Sequence, residues 1–158
     1  MAARLTRRAL LSVAAILAAA PSAAQTDSAV NFVRDFYVRE IARHAAKEGA
    51  SEPDFLAVFT ADAQRLWRAA QANRHRANEP AGPILHAFFG QGALPGREIT
   101  LGAVTASGRN AVSVELTIQD NPRTLVVHTA REGGAWKIAD IDYGGESFVG
   151  YFRKRAGR

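Results

Sequence analysis

Apolar residues in this chain change their spacing once, and the change divides it into two kinds of structure. From Asp27, which reads as an N-cap, Val30, Val33, Tyr37, Ile41 and His44/Ala45 fall on one face of a helix. Phe32 and Phe36 widen that face, Arg34, Arg39, Glu40, Lys47 and Glu48 cover the remainder, and Gly49 is the stop. Ser51-Glu52-Pro53-Asp54 restarts a helix, with serine as the cap, proline in the first turn and an acid closing the box. Phe55, Leu56 and Phe59 are its buried side. Thr60-Ala61-Asp62 then caps a segment carrying Ala63, Leu66, Trp67, Ala70 and Gln71, either as one long kinked helix or as two in succession.

Glu79-Pro80-Ala81-Gly82-Pro83 ends the helical half, because each proline disfavours helix in the residue before it. An apolar knot from Ile84 to Phe89 and a glycine-rich run from Gly90 to Gly96 follow. Beyond them the period is two. Ile99, Leu101, Ala103 and Thr105 alternate with Glu98, Thr100, Gly102 and Val104, while Val112, Val114, Leu116 and Ile118 form the cleanest strand. Residues 123–131 and 135–143 are the third and fourth strands. Ser107-Gly108-Arg109-Asn110, Asp120-Asn121-Pro122 and Glu132-Gly133-Gly134 are short turns, so neighbouring strands pair as an antiparallel meander. In the fourth strand Ile141 leaves the face shared by Trp136 and Ile138, which a bulge at Ala139-Asp140 or burial on both faces explains. The expected fold class is α+β. Its N-terminal helices pack in a curved antiparallel sheet of four or more strands, as one domain over 25–158 with a basic C-terminal tail.

Residues 1–24 follow a different logic. Arg4, Arg7 and Arg8 precede the apolar run Ala9 to Ala20, and Pro21 leads into Ser22-Ala23-Ala24, a small-x-small cleavage site. The run is shorter than the roughly 18–20 residues that span a bilayer, which favours a cleaved export signal over a retained anchor. The mature chain is expected to start at Gln25, in a periplasm or outside the cell. Arg7-Arg8 also fits the twin-arginine route.

This address reinterprets the charge. The chain carries +5 and a pI near 10.2, yet three cations lie in the signal and four, Arg153, Lys154, Arg155 and Arg158, end the chain. Residues 25–152 hold 13 Lys and Arg against 15 acids. So nearly neutral a body does not fit nucleic acid, whose phosphates require a basic face. The lack of cysteine excludes disulfides, a thiolate nucleophile and thiolate-held metals.

The run Gly133-Gly134-Ala135-Trp136-Lys137-Ile138-Ala139-Asp140-Ile141-Asp142-Tyr143 resembles the Gly-x-Trp-(Lys/Arg)-Ile-x-Asp-Ile signature that closes the sheet in many nuclear-transport-factor-two-like proteins. Gly144-Gly145-Glu146-Ser147-Phe148 is similar to the tail of exported bacterial members filed as a domain of unknown function. The resemblance implies a cone-shaped barrel whose sheet wraps the first helix and leaves a pocket at the wide end. It also implies open sheet faces that pair as homodimers. Exported members often carry an acid in the loop between the two halves, whereas His86 to Gly92 has none.

Related barrels include isomerases, dehydratases, transport adaptors and ligand binders, so the resemblance selects no activity. An isomerase of this shape needs a carboxylate base opposed by a hydroxyl, and Asp140 or Asp142 with Tyr37 or Tyr143 supplies those types. The structural alternative has Asp140 accepting backbone N–H groups at the bulge and Asp142 solvated. His44, His75, His86 and His128 are scattered without metal-ligand spacing. His128 shares a strand face with Thr124, Val126 and Ala130 and points either into a cavity or into a hydrogen-bonded wall. Trp67, Phe89, His128 and Trp136 are the candidate ligand-lining residues, with ordinary core packing as the alternative. No Gly-x-Ser-x-Gly elbow, phosphate loop, metal site or cofactor motif is present.

The favoured reading is a non-enzymatic exported domain that binds a small apolar ligand or an envelope protein. The alternative is a small lyase or isomerase with Asp140 or His128 as base and a tyrosine as donor. The aromatic and basic end, Phe148 to Arg155, suggests a weak membrane-surface contact, against a plain solvated terminus.

Overall fold

The computed structural model describes residues 23–76, 87–90 and 93–157. Residues 1–22 of the expected signal, the Pro80–Pro83 break, His86 and Gln91-Gly92 lie outside the described residues. The helical half contains α1 (Ala23–Ala45), α2 (Glu52–Ala57) and α3 (Ala61–Arg76). The second half contains β1 (Ile99–Gly108), β2 (Ala111–Ile118), β3 (Asn121–Glu132) and β4 (Ala135–Asp142), and α4 (Phe148–Ala156) follows. The fold is α+β, with one antiparallel sheet in the order β1-β2-β3-β4 whose outer strands do not join to close a barrel.

Helix α1 is already helical at Ala23, so Asp27 is not its cap and the expected mature start at Gln25 falls inside the helix. Its buried stripe is Ala29, Val33, Phe36, Tyr37 and Glu40, while Val30, Ile41 and His44 are half-buried. The face is rotated relative to the expected one, and it buries an acid that the pattern assigned to the polar side. Serine 51 caps α2 as expected, its hydroxyl accepting from Asp54 N at 3.3 Å, and Pro53 sits in the first turn. Thr60 separates α2 from α3 and accepts from Ala63 N, so the helices are two in succession.

The strands depart from simple register at three places, one of them at the Ala106–Gly108 end of the β1–β2 hairpin. Leu101 faces Leu116 and Val104 faces Val114, so β1 carries one extra residue in this stretch, Val104 turns inward and Ala103 is exposed. That corrects the expected Ile99-Leu101-Ala103-Thr105 face. The close approach is made at Gly102, where an added Cβ would lie 3.1 Å from the Glu115 side chain. In β4, His128 pairs Asp140 while Thr129 pairs Ile138, which makes Ala139 the extra residue and settles the expected alternatives in favour of a bulge. The β2–β3 turn is Gln119-Asp120, both at positive φ, so the turn starts one residue earlier than expected and β3, with Asn121 and Pro122 already in it, starts two residues earlier.

The free edge of β4 is partly covered by the link between α2 and α3. Thr60 N donates to Ile138 O at 2.9 Å and Ile138 N donates to Val58 O at 2.8 Å. Between sheet and helices lies a core of rings: Phe59 stacks on Phe148 at 4.4 Å, and Phe88 meets Phe36 edge-on at 4.8 Å. The chain's last segment is therefore not a solvated tail. Ser147 caps α4 by accepting from Gly150 N at 3.0 Å, and Phe148 is buried.

Candidate functional site

The bulge at Ala139 aims the Asp140 carboxylate at α4. One oxygen, Oδ1, accepts from Ile141 N at 2.8 Å and from Val149 N at 2.9 Å. Val149 lies in the first turn of α4, whose N–H groups have no intrahelical partner, so Asp140 ties the end of the sheet to that helix. Asp142 is half-buried and accepts from Gly144 N at 2.8 Å, closing the turn that follows β4.

Beside this clamp lie the two tyrosines. Tyr37 is fully buried and donates its phenol to Phe88 O at 2.9 Å. Tyr143 donates to Ala87 O, the preceding carbonyl. The turn 87–90 passes close over the Tyr143 ring, where Gly90 adopts φ +72°, a conformation that favours glycine, and a Cβ would lie a tight 3.1 Å from the ring. Burial, and then Tyr143, push the Tyr37 phenol well above its ordinary range. Burial and the Asp140 charge do the same to Tyr143. Both phenols keep their protons at neutral pH, and both spend them on backbone.

Structure thus brings Asp140, Tyr143 and Tyr37 into one neighbourhood and leaves His128 out. His128 is exposed on the outer face of β3, opposite the side carrying Leu125, Val127 and Thr129. The four candidate ligand-lining residues are not brought together. Trp67 is buried against Phe55, and Phe89 lies between Tyr37 and His44. Trp136 is half-buried, donates Nε1–H to Ser28 Oγ at 2.7 Å and lies 4.9 Å beneath the Arg131 guanidinium. His44 contacts the Arg97 carbonyl at 3.0 Å.

Two features escaped the sequence reading. Glu40 is buried with Arg43 at 3.4 Å and Arg39 at 3.8 Å; burial raises its carboxyl above the usual range, and the two arginines oppose that shift. Its place on the helix wheel between Phe36 and His44 was the available signal. The second is an open groove of about 580 Å³ at the far end of the sheet, lined by Gly96, Glu98, Thr100, Thr117, Gln119 and Asp120. It contains none of the expected site residues. The cross-strand pairing of Thr100 with Thr117 makes its floor.

Among the described residues no three His, Asp or Glu side chains are grouped to hold a metal ion, and no helix is long and apolar enough to cross a membrane. Comparison with known proteins returns no relative: no family model, curated protein or solved structure matches the chain.

Proposed function

We propose that the chain is an exported, non-enzymatic domain of the nuclear-transport-factor-two-like type that works by binding a protein partner on its outer surface. The observation that carries this reading is how the inner side of the sheet is used. Phe36, Tyr37, Phe55, Phe59, Trp67, Phe88 and Phe148 are all buried, and ring contacts at 4.4–6.2 Å link Phe148, Phe59, Phe55, Phe88 and Phe36. A lyase or isomerase in the cone would need a carboxylate with a free oxygen facing substrate and a hydroxyl donor left for it. Here both phenols donate to carbonyls, so neither is left for a substrate, while two N–H groups on Oδ1 hold Asp140 against α4. The packing of α1 on β1 and β2 and the Trp136-to-Tyr143 run support the cone-shaped superfamily reading; because β1 and β4 do not join, it would be an unclosed form of that cone.

Titration with an apolar probe, 1-anilinonaphthalene-8-sulfonate, followed by Trp67 and Trp136 fluorescence, tests the choice between partner and small ligand. The partner reading predicts no saturable one-to-one binding to the folded chain. Stoichiometric binding that Phe59→Trp blocks would replace it with the small-ligand reading.

A further inference from the structure

Helices α3 and α4 run parallel, side by side. At one end Phe148 stacks on Phe59, immediately before α3, at 4.4 Å. At the other, Asn73 Nδ2 donates to Arg155 O and Ala156 O, each at 3.1 Å. Two helix dipoles therefore end at the same place, each contributing about −0.5 of an elementary charge in its last turn. About one cation would balance them. The last turn of α4 alone carries three, Arg153, Lys154 and Arg155, with no acid in that turn.

The surplus is a property of this end and not of the whole molecule. Together α3 and α4 hold seven Lys and Arg against Asp62 alone, while the rest of residues 25–158 holds ten against fourteen acids. Packing like charges at one end costs stability through repulsion, and dipole compensation accounts for only a fraction of them. Arg153 and Lys154 are exposed, the latter 72% exposed even while paired to Glu146 at 2.9 Å. Next to them Arg155 lies 3.8 Å over the ring of Tyr151, which meets Phe152 edge-on at 5.0 Å. Both rings are half-buried, presenting an apolar body beside long cationic stems.

We propose that the shared C-terminal end of α3 and α4 is a docking surface for anionic lipid headgroups. Exposed cations on flexible stems recognise charge without requiring one fixed geometry, which a plane of phosphates satisfies in any rotation. The amphipathic Tyr151–Arg155 stack is of the kind that sits at headgroup level. This surface goes beyond the partner reading and does not depend on what the inner side of the sheet binds.

The test is co-sedimentation of the full chain with phosphatidylglycerol-containing vesicles and with pure phosphatidylcholine vesicles; residues 1–24, with their three cations, are common to the wild type and both variants, so the difference between variants reports on the proposed surface. At low salt the wild type should bind the anionic vesicles about ten-fold or more tightly than the neutral ones, and high salt should erase the difference. Arg153→Gln/Lys154→Gln should remove most of the preference, while Lys47→Gln/Arg109→Gln, with the same charge change elsewhere, should keep it. Far-UV circular dichroism checks that both variants fold, and the salt dependence of the wild type stands independently of either. Equal binding to both vesicle types, an equal loss in the two variants, or binding to polyglutamate without binding to vesicles would overturn the proposal. The last result would assign the surface to an acidic polypeptide.

Discussion

On its inner face the sheet presents Val112, Val114, Leu116, Leu125, Val127, Ile138 and Ile141, all buried against helix and ring; on its outer face Thr105, Glu115, Thr124 and His128 are exposed. The same strands build both faces, because successive side chains alternate. Polar groups on the inner side are few, and those described are committed: the Tyr37 phenol holds the 87–90 turn, and Thr129 Oγ1 donates to Asn110 O at 3.1 Å. Chemically capable residue types thus divide into buried ones that maintain the fold and exposed ones free to meet a partner. A carboxylate or phenol near a core is a catalytic candidate only while its hydrogen-bonding capacity is unspent.

The contrast can be broken most forcefully from the inside. Phe59→Ala removes a ring stacked between Phe148 and Phe88 and should cost about 3–5 kcal/mol in denaturant unfolding; a cost below about 1 kcal/mol would mean that the inner side is loosely filled. Tyr37→Phe leaves Phe88 O without its donor and should cost about 1–2 kcal/mol. It should also alter the alkaline limb. The unfolded chain's phenols ionise near their ordinary value of 10.0, whereas the folded Tyr37 and Tyr143 hold their protons to higher pH. The unfolded state then binds fewer protons, so wild-type stability falls as pH rises past about 10, and Tyr37→Phe/Tyr143→Phe should flatten that fall. Ser147→Ala removes the α4 cap and should lower stability by about 1 kcal/mol in a thermal melt. His128→Ala, on the outer face, should change it by less than about 0.5 kcal/mol; a larger loss would mean that this face is covered in solution.

Much of this architecture was legible in the residues. Period-two runs located the four strands, Ser51-Glu52-Pro53-Asp54 located α2, and the misplaced Ile141 pointed to the bulge that Ala139 makes. What was not legible depended on contacts between distant segments. The bulge in β1 sits at Gly102-Ala103 because β2 sets the register, and no local pattern reveals it. Phe148 to Ala156 reads as a basic tail until Phe59 and Asn73 supply the surfaces it packs on. The site was half legible. Residue types and the bulge named Asp140, and the structural alternative of backbone donors described it correctly, but Val149 as its second donor lies nine residues away across a turn. His128 lies on the exposed face, which its sequence could not tell, since alternation fixes which residues share a side but not which side is inward.

Asp140 tests the central claim most directly, because it is the group that a catalytic account and a structural account use in opposite ways. Catalytic carboxylates are commonly held at some cost to stability, so replacing one often leaves the fold as stable or more so. A carboxylate that joins β4 to α4 through Ile141 N and Val149 N does the reverse. Equilibrium unfolding of Asp140→Ala at neutral pH should show a loss of about 2 kcal/mol. Unchanged or increased stability would contradict the account and return Asp140 to the list of candidate bases.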